Sequence, residues 1–220
     1  MLVAESSPQV AASRRGWRAV GFSLLLVAAG TATAMKGNLS PSHRIGDPVD
    51  SFHGVTVHFN GGMLHTSGRS VARDGYNIGL RWQCVEFVKR YYFERFGHEM
   101  PEPRGNAKDF FDPAVADGAL NPQRGLLQFR NGSPSAPQAE DILVLGPGLL
   151  NPYGHVAIVT KAGADALEVV QQNPGPFVAS RRRFALRHEA KGWSVDETRV
   201  LGWLRLPPDH RVKPAAAAQP

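Results

Sequence analysis

Among 220 residues there is a single cysteine, Cys84. A lone thiol forms no internal disulfide, and one Cys with scattered His and no HExxH spacing supplies no zinc ligand set, so neither metal nor organic cofactor is expected. A buried, inert thiol is the ordinary alternative, because free cysteine is among the most buried residue types. Its surroundings argue for a nucleophile instead. From Trp82 to Phe96, WQCVEFVKRYYFERF places Val85, Val88, Tyr92 and Phe96 at steps of three, four and four, the stripe of an amphipathic helix that Gly97 ends. Asp74, Gly75, Asn77 and Gly79 just upstream make a turn-rich approach, so Cys84 falls in the first turn. Unpaired amides and the positive end of the helix dipole there should favour thiolate over thiol, and the Cys84 N–H could face a developing oxyanion. Glu86 and Arg90, four apart, read as a supporting ion pair.

A thiol nucleophile needs a group that takes its proton and passes it to the leaving amine, the role of histidine near neutral pH. Of eight histidines, His43, His53, His58, His65, His98, His188 and His210 lie in polar or loop contexts that suggest surface positions. His155 opens the β-branched run HVAIVT directly after the turn residues Asn151, Pro152, Tyr153 and Gly154, which puts it at the edge of a core strand. The run ALEVVQQN, 166–173, suggests a second strand, paired antiparallel with the first through a turn at 163–165, and DILVL, 141–145, a third strand of the same sheet. The hairpin returns Gln171 and Asn173 to the His155 end. Strand alternation would place those two on one face and Gln172 on the other, so either could orient the imidazole.

The set YNIGLRWQCVEFVKRYY, DILVL, GHVAIVT and VVQQN resembles the cysteine, histidine-dependent amidohydrolase/peptidase (CHAP) family over about residues 50–205. Within it, WQCVEF and GHVAIV are similar to the amidase domain of glutathionylspermidine synthetase/amidase proteins, while many other members cleave peptidoglycan peptides. The resemblance implies an α+β, papain-like fold in which a nucleophile-bearing helix packs on an antiparallel β-sheet that carries the base. It further implies Cys84 as nucleophile, His155 as base and Gln171 as the third residue, where glutathionylspermidine amidases look to have glutamate in a similar EQN run. A neutral amide at that position would stabilise an imidazolium less than a carboxylate does. Gln83 and Tyr76 are candidates for an oxyanion or substrate contact, and Pro174, Gly175 and Pro176 for a turn closing the site wall.

The flanks read differently. Arg14, Arg15 and Arg18 precede an apolar run from Ala19 to Ala29, and Ala32, Thr33 and Ala34 supply a small-x-small site, the pattern of a cleaved secretory signal. The alternative, an uncleaved anchor, is weakened by an apolar run well short of the roughly 20 residues that span a bilayer. Ser13, Arg14 and Arg15 also hint at a twin-arginine signal. The expected organisation is thus a signal peptide at 1–34, a linker at 35–49, a catalytic domain at 50–206 and a disordered tail at 207–220. Loss of residues 1–34 removes three Arg and one Glu and takes the net charge from +6 to +4. Arg181, Arg182 and Arg183 form the one dense basic run; without interleaved aromatics it reads as solvated surface, and no nucleic-acid partner is expected. The reading is therefore an exported, periplasmic or extracellular monomer without a stable membrane span, hydrolysing amide bonds of peptidoglycan peptides. A glutathionylspermidine-type amidase and a non-catalytic envelope-binding module are the alternatives.

Overall fold

The computed structural model describes residues 36–149, 151–175 and 177–210. The expected signal segment and most of the expected tail, 211–220, lie outside the described residues, as does Pro176. The chain forms a two-stranded ribbon, β1 (Pro48–Phe52) and β2 (Val55–His58), then a second, β3 (Arg69–Val71) and β4 (Asn77–Leu80). One long helix follows, α1 (Cys84–Phe96), and a 3-10 turn at Ala107–Phe110. The rest is sheet: β5 (Leu120–Asn121), β6 (Leu126–Arg130), β7 (Ile142–Leu145), β8 (His155–Ala162), β9 (Ala166–Val170), β10 (Arg181–Glu189), β11 (Gly192–Val195) and β12 (Val200–Arg205). These eight strands are ordered β11-β10-β9-β8-β7-β12-β6-β5, with every pairing antiparallel. The α+β class and the expected layout of helix on antiparallel sheet are both present.

Side-chain alternation explains how one sheet carries two cores. In β7, all four residues are buried, because Ile142 and Val144 face the helix while Leu143 and Leu145 face away. Val156 and Ile158 of β8 join Phe87, Val88, Tyr91 and Tyr92 of α1 in the first core. Ala157 and Val159 turn to the second, with Leu167, Val169, Phe184 and Trp203. Every fully buried member of that second core comes from a strand, so the sheet curls around its own far face instead of recruiting a second helix layer.

The helix is more deeply buried than an amphipathic stripe would make it. Val88 and Tyr92 of the stripe are inside, but so are Glu86, Lys89 and Arg90. Gly97 ends the helix in the left-handed conformation (φ 62°) and returns its N–H to Phe93 O. No helix among the described residues is long and apolar enough to cross a membrane. The arginine run lies on β10 and is not simply solvated: Arg181 is paired with Asp50 at 2.8 Å and with Glu168 at 3.3 Å, and Arg182 with Glu197 at 2.8 Å. His98, expected at the surface, is buried with Nε2 against Arg124 O at 2.8 Å. Pro207–His210 close a turn in which His210 meets His98 edge-on.

Candidate active site

Cys84 is the first residue of α1 and His155 the first of β8, and both line one cavity of about 600 Å³. Helix start and strand start meet because β8 packs under the helix: the Val156 N–H, one residue beyond His155, is directed at the Cys84 sulfur. The amides of Cys84 and Val85 converge on the same sulfur. They are free to do so because the N-cap residue, Gln83, makes no side-chain cap bond, whereas a Ser, Thr or Asp there would take up a first-turn donor.

His155 is held from behind. Its Nε2 lies 3.0 Å from Gln171 Oε1, and Gln171 Nε2 donates to Ala179 O at 3.1 Å. With the amide nitrogen committed to a carbonyl, Oε1 is the acceptor; the ring therefore carries its proton on Nε2 and keeps the lone pair on Nδ1. Of the two candidates for orienting the ring, Gln171 makes the contact and Asn173 does not. Simple alternation fails here because β9 ends at Val170, and Asn173 takes a left-handed φ of 54°. Asn173 Nδ2 instead donates to Met63 O at 2.9 Å and Gln83 Oε1 at 2.8 Å, on the cavity wall.

Gln172, expected to face away, faces the helix start. It donates to Glu86 Oε2 at 2.9 Å and Gln83 O at 3.1 Å, and accepts from His58 N at 2.8 Å. Glu86, fully buried, also accepts from Arg90 Nε at 2.8 Å and Ser70 Oγ at 3.1 Å. The expected Glu86–Arg90 pair is present and buried, and through Gln172 it links α1 to the segment after β9. The QQN run splits into three jobs: Gln171 holds the histidine, Gln172 the helix and Asn173 the wall.

The remaining candidates fall differently. Gln83 lines the cavity, but its amide nitrogen donates to His65 O at 2.6 Å and Met63 O at 3.3 Å, so both N–H groups are spent before any oxyanion could use them. Tyr76 is not among the cavity residues. Its hydroxyl accepts from Met100 N at 2.9 Å and its ring stacks on Phe93, a packing role. Pro174 and Gly175 line a small adjoining cavity with Gln171 and Asn173. Sequence reading missed the opposite wall, built from Arg69, Asn77, Pro103 and Arg104, and the rim residue Tyr153. Exposed arginines, one opening a short strand next to Gly68 and one in a loop next to Pro103, carry no local signal that would single them out.

Burial dominates the electrostatics. It pushes the Cys84 thiol up despite the converging amides, and it pulls His155 down to about 4 despite the bond to Gln171. The thiolate expected at the helix start is thus opposed by burial, which favours neutral thiol and neutral imidazole. The first-turn amides do act in the expected direction, but exclusion of water from both groups outweighs them.

Residues 74–173 match the CHAP domain family model. The chain is 27% identical over 164 residues to trypanothione synthetase of Crithidia fasciculata, covering 70% of this chain and 25% of that protein. It is 31% identical over 152 residues to the bifunctional glutathionylspermidine synthetase/amidase of Escherichia coli (strain K12), covering 62% and 23%. It thus spans about a quarter of the length of these curated relatives. A crystal structure of the wild-type endolysin LysIME-EF1 aligns over 64% of this chain and 58% of that one, with 26% identity and a TM-score of 0.35. The matched segment holds the cysteine helix, the histidine strand and the QQN run together, so it is over residues 74–173 that the chain is similar to the CHAP domain.

Proposed function

We propose that the chain is a cysteine-dependent amide hydrolase in which Cys84 is the nucleophile, His155 the base and Gln171 the residue that orients His155. The observation that carries this reading is the lining of a single cavity by a helix-start thiol and a histidine whose Nε2 is committed to Gln171. Nδ1 takes the Cys84 proton as the sulfur bonds to the substrate carbonyl carbon, and the carbonyl electrons move onto oxygen. The Cys84 N–H, released from the sulfur once the new C–S bond forms, is the donor proposed for that developing charge. Collapse breaks the C–N bond, the nitrogen leaves with the proton from His155, and a thioester remains. Water then gives a proton to Nδ1 as its oxygen attacks the thioester; the acid departs and Cys84 recovers its proton. Because both groups rest neutral, proton transfer accompanies attack and does not precede it.

The favoured substrate is a peptide of the cell wall. The export signal read at residues 1–34, which would place the mature chain outside the cytoplasm, and its positive charge support this choice. A glutathione–polyamine amide is the second reading, supported by the match to a relative named as a glutathionylspermidine synthetase/amidase.

Incubating the purified chain with peptidoglycan and, separately, with glutathionylspermidine, then reading products by mass spectrometry, separates the two. Cys84→Ala should lose turnover by at least about a thousandfold while the circular-dichroism spectrum stays unchanged. Retained turnover would sink the assignment.

A further inference from the structure

The charged side chains among the described residues of the cavity are Arg69 and Arg104, and no acid lines it. Neither arginine has an ion-pair partner among the described residues; Arg69 Nη1 is 2.8 Å from the neutral Asn77 Oδ1. An exposed arginine on its own is ordinary surface, but this pair is braced. Asn77 Nδ2 donates to Pro103 O at 3.1 Å, tying β4 to the loop that carries Arg104. Beneath them the buried Lys89 reaches up from α1 and donates to Asn77 O and to Pro103 O. The β3–β4 ribbon and a loop far from it in sequence are thus pinned to one ammonium, and this fixes the separation of the two guanidinium-bearing segments. The same residues, Arg69, Asn77, Pro103 and Arg104, with Glu102, also line an adjoining groove of about 520 Å³. The arginines therefore stand where the Cys84 cavity opens into a continuation long enough for an extended ligand. Glu102 is the one carboxylate there, and its Oε1 already accepts from the Arg104 backbone N–H at 2.9 Å.

We propose that Arg69 and Arg104 form a carboxylate-recognition subsite, so that the preferred ligand is an acidic peptide whose free carboxylate lies to one side of the scissile amide. Guanidinium groups bind carboxylates through paired, charge-assisted hydrogen bonds, and a cavity with cationic and no anionic walls concentrates such ligands. The same charge pattern repels a polycationic leaving group. This inference rests on the cavity's being the substrate site of the proposed hydrolase and narrows its substrate class.

The test uses the full chain carrying Cys84→Ala, so that binding is read without turnover. The probe is the tetrapeptide L-Ala–γ-D-Glu–L-Lys–D-Ala, as the free acid and with both carboxyls amidated, titrated by calorimetry at low salt. The free acid should bind about tenfold tighter than the diamide. Adding Arg69→Gln and Arg104→Gln, both at exposed positions, should bring the ratio to within about twofold of unity. Equal binding of the two forms, no binding of the free acid, or a ratio unchanged by the arginine substitutions overturns the subsite. Hydrolysis by the unsubstituted chain is scored separately. Selective binding without any hydrolysis removes the enzyme reading and leaves the subsite standing, whereas hydrolysis without selectivity does the reverse.

Discussion

At the scale of single residues, the site is governed by how little water reaches it. Burial holds His155 near 4 and raises the Cys84 thiol, so at neutral pH neither group is charged, and in the mechanism proposed above the imidazole is free to act as the base. The sign follows directly: a base must be unprotonated to act, so activity should persist as pH falls through 6 and 5 and drop only on approach to about 4. Replacing Gln171 by Glu places a carboxylate where a neutral amide now accepts from Nε2, which stabilises the imidazolium and raises the His155 pKa. The acid limb of kcat/KM should then move up by roughly one to two pH units. A pH profile of Gln171→Glu that overlays the unsubstituted one would show that residue 171 does not act through His155.

At the scale of elements, the site depends on close approaches that a larger residue or a broken link would spoil. Gly154, at φ 77°, directly precedes His155, and a Cβ there would lie 2.6 Å from Leu145 O and 2.9 Å from Lys108 N. Gly154→Ala must therefore shift the start of β8 and the imidazole with it. A loss of kcat of at least about tenfold, with the unfolding midpoint also lowered, is expected from kinetics and urea denaturation. Arg90→Ala leaves the fully buried Glu86 with Ser70 and Gln172 but no opposing charge, a loss expected to destabilise the chain by about 3 kcal/mol in urea unfolding. An effect under about 0.5 kcal/mol would mean that the neutral donors suffice.

At the scale of the whole molecule, the curled sheet separates chemistry from part of the stability. The first core lies under α1 and includes Cys84, while the second, built around Trp203 and Phe129, lies on the face away from the helix. Trp203→Ala should cost roughly 3–5 kcal/mol of unfolding free energy yet leave kcat per folded molecule within about twofold. A matching loss of kcat in the folded fraction, measured well below the melting midpoint, would show that the two faces are coupled.

The local code was legible where one residue type or one period dominates. A single cysteine before a helical stripe, a histidine at the head of an apolar strand, and the strands read at 141–145, 155–160 and 166–173 with their antiparallel hairpin follow from Cys84, His155 and side-chain periodicity alone, the last of them ending three residues early, at Val170. Which amide meets His155 did not follow, because alternation stops where the chain leaves the strand at Val170 and Asn173 turns left-handed. The protonation state of the thiol was misread for a related reason: the helix dipole is a local property visible in sequence, but the desolvation that overrides it comes from β8 and the rest of the sheet closing over Cys84. That Arg69 and Arg104, 35 positions apart, line one cavity likewise follows from Lys89 and Asn77 tying β4 to the loop at Pro103. Sequence determined which groups could do chemistry and on which elements they sit. Tertiary structure decided which of them touch and how much water they keep, since contact and dielectric depend on segments distant along the chain.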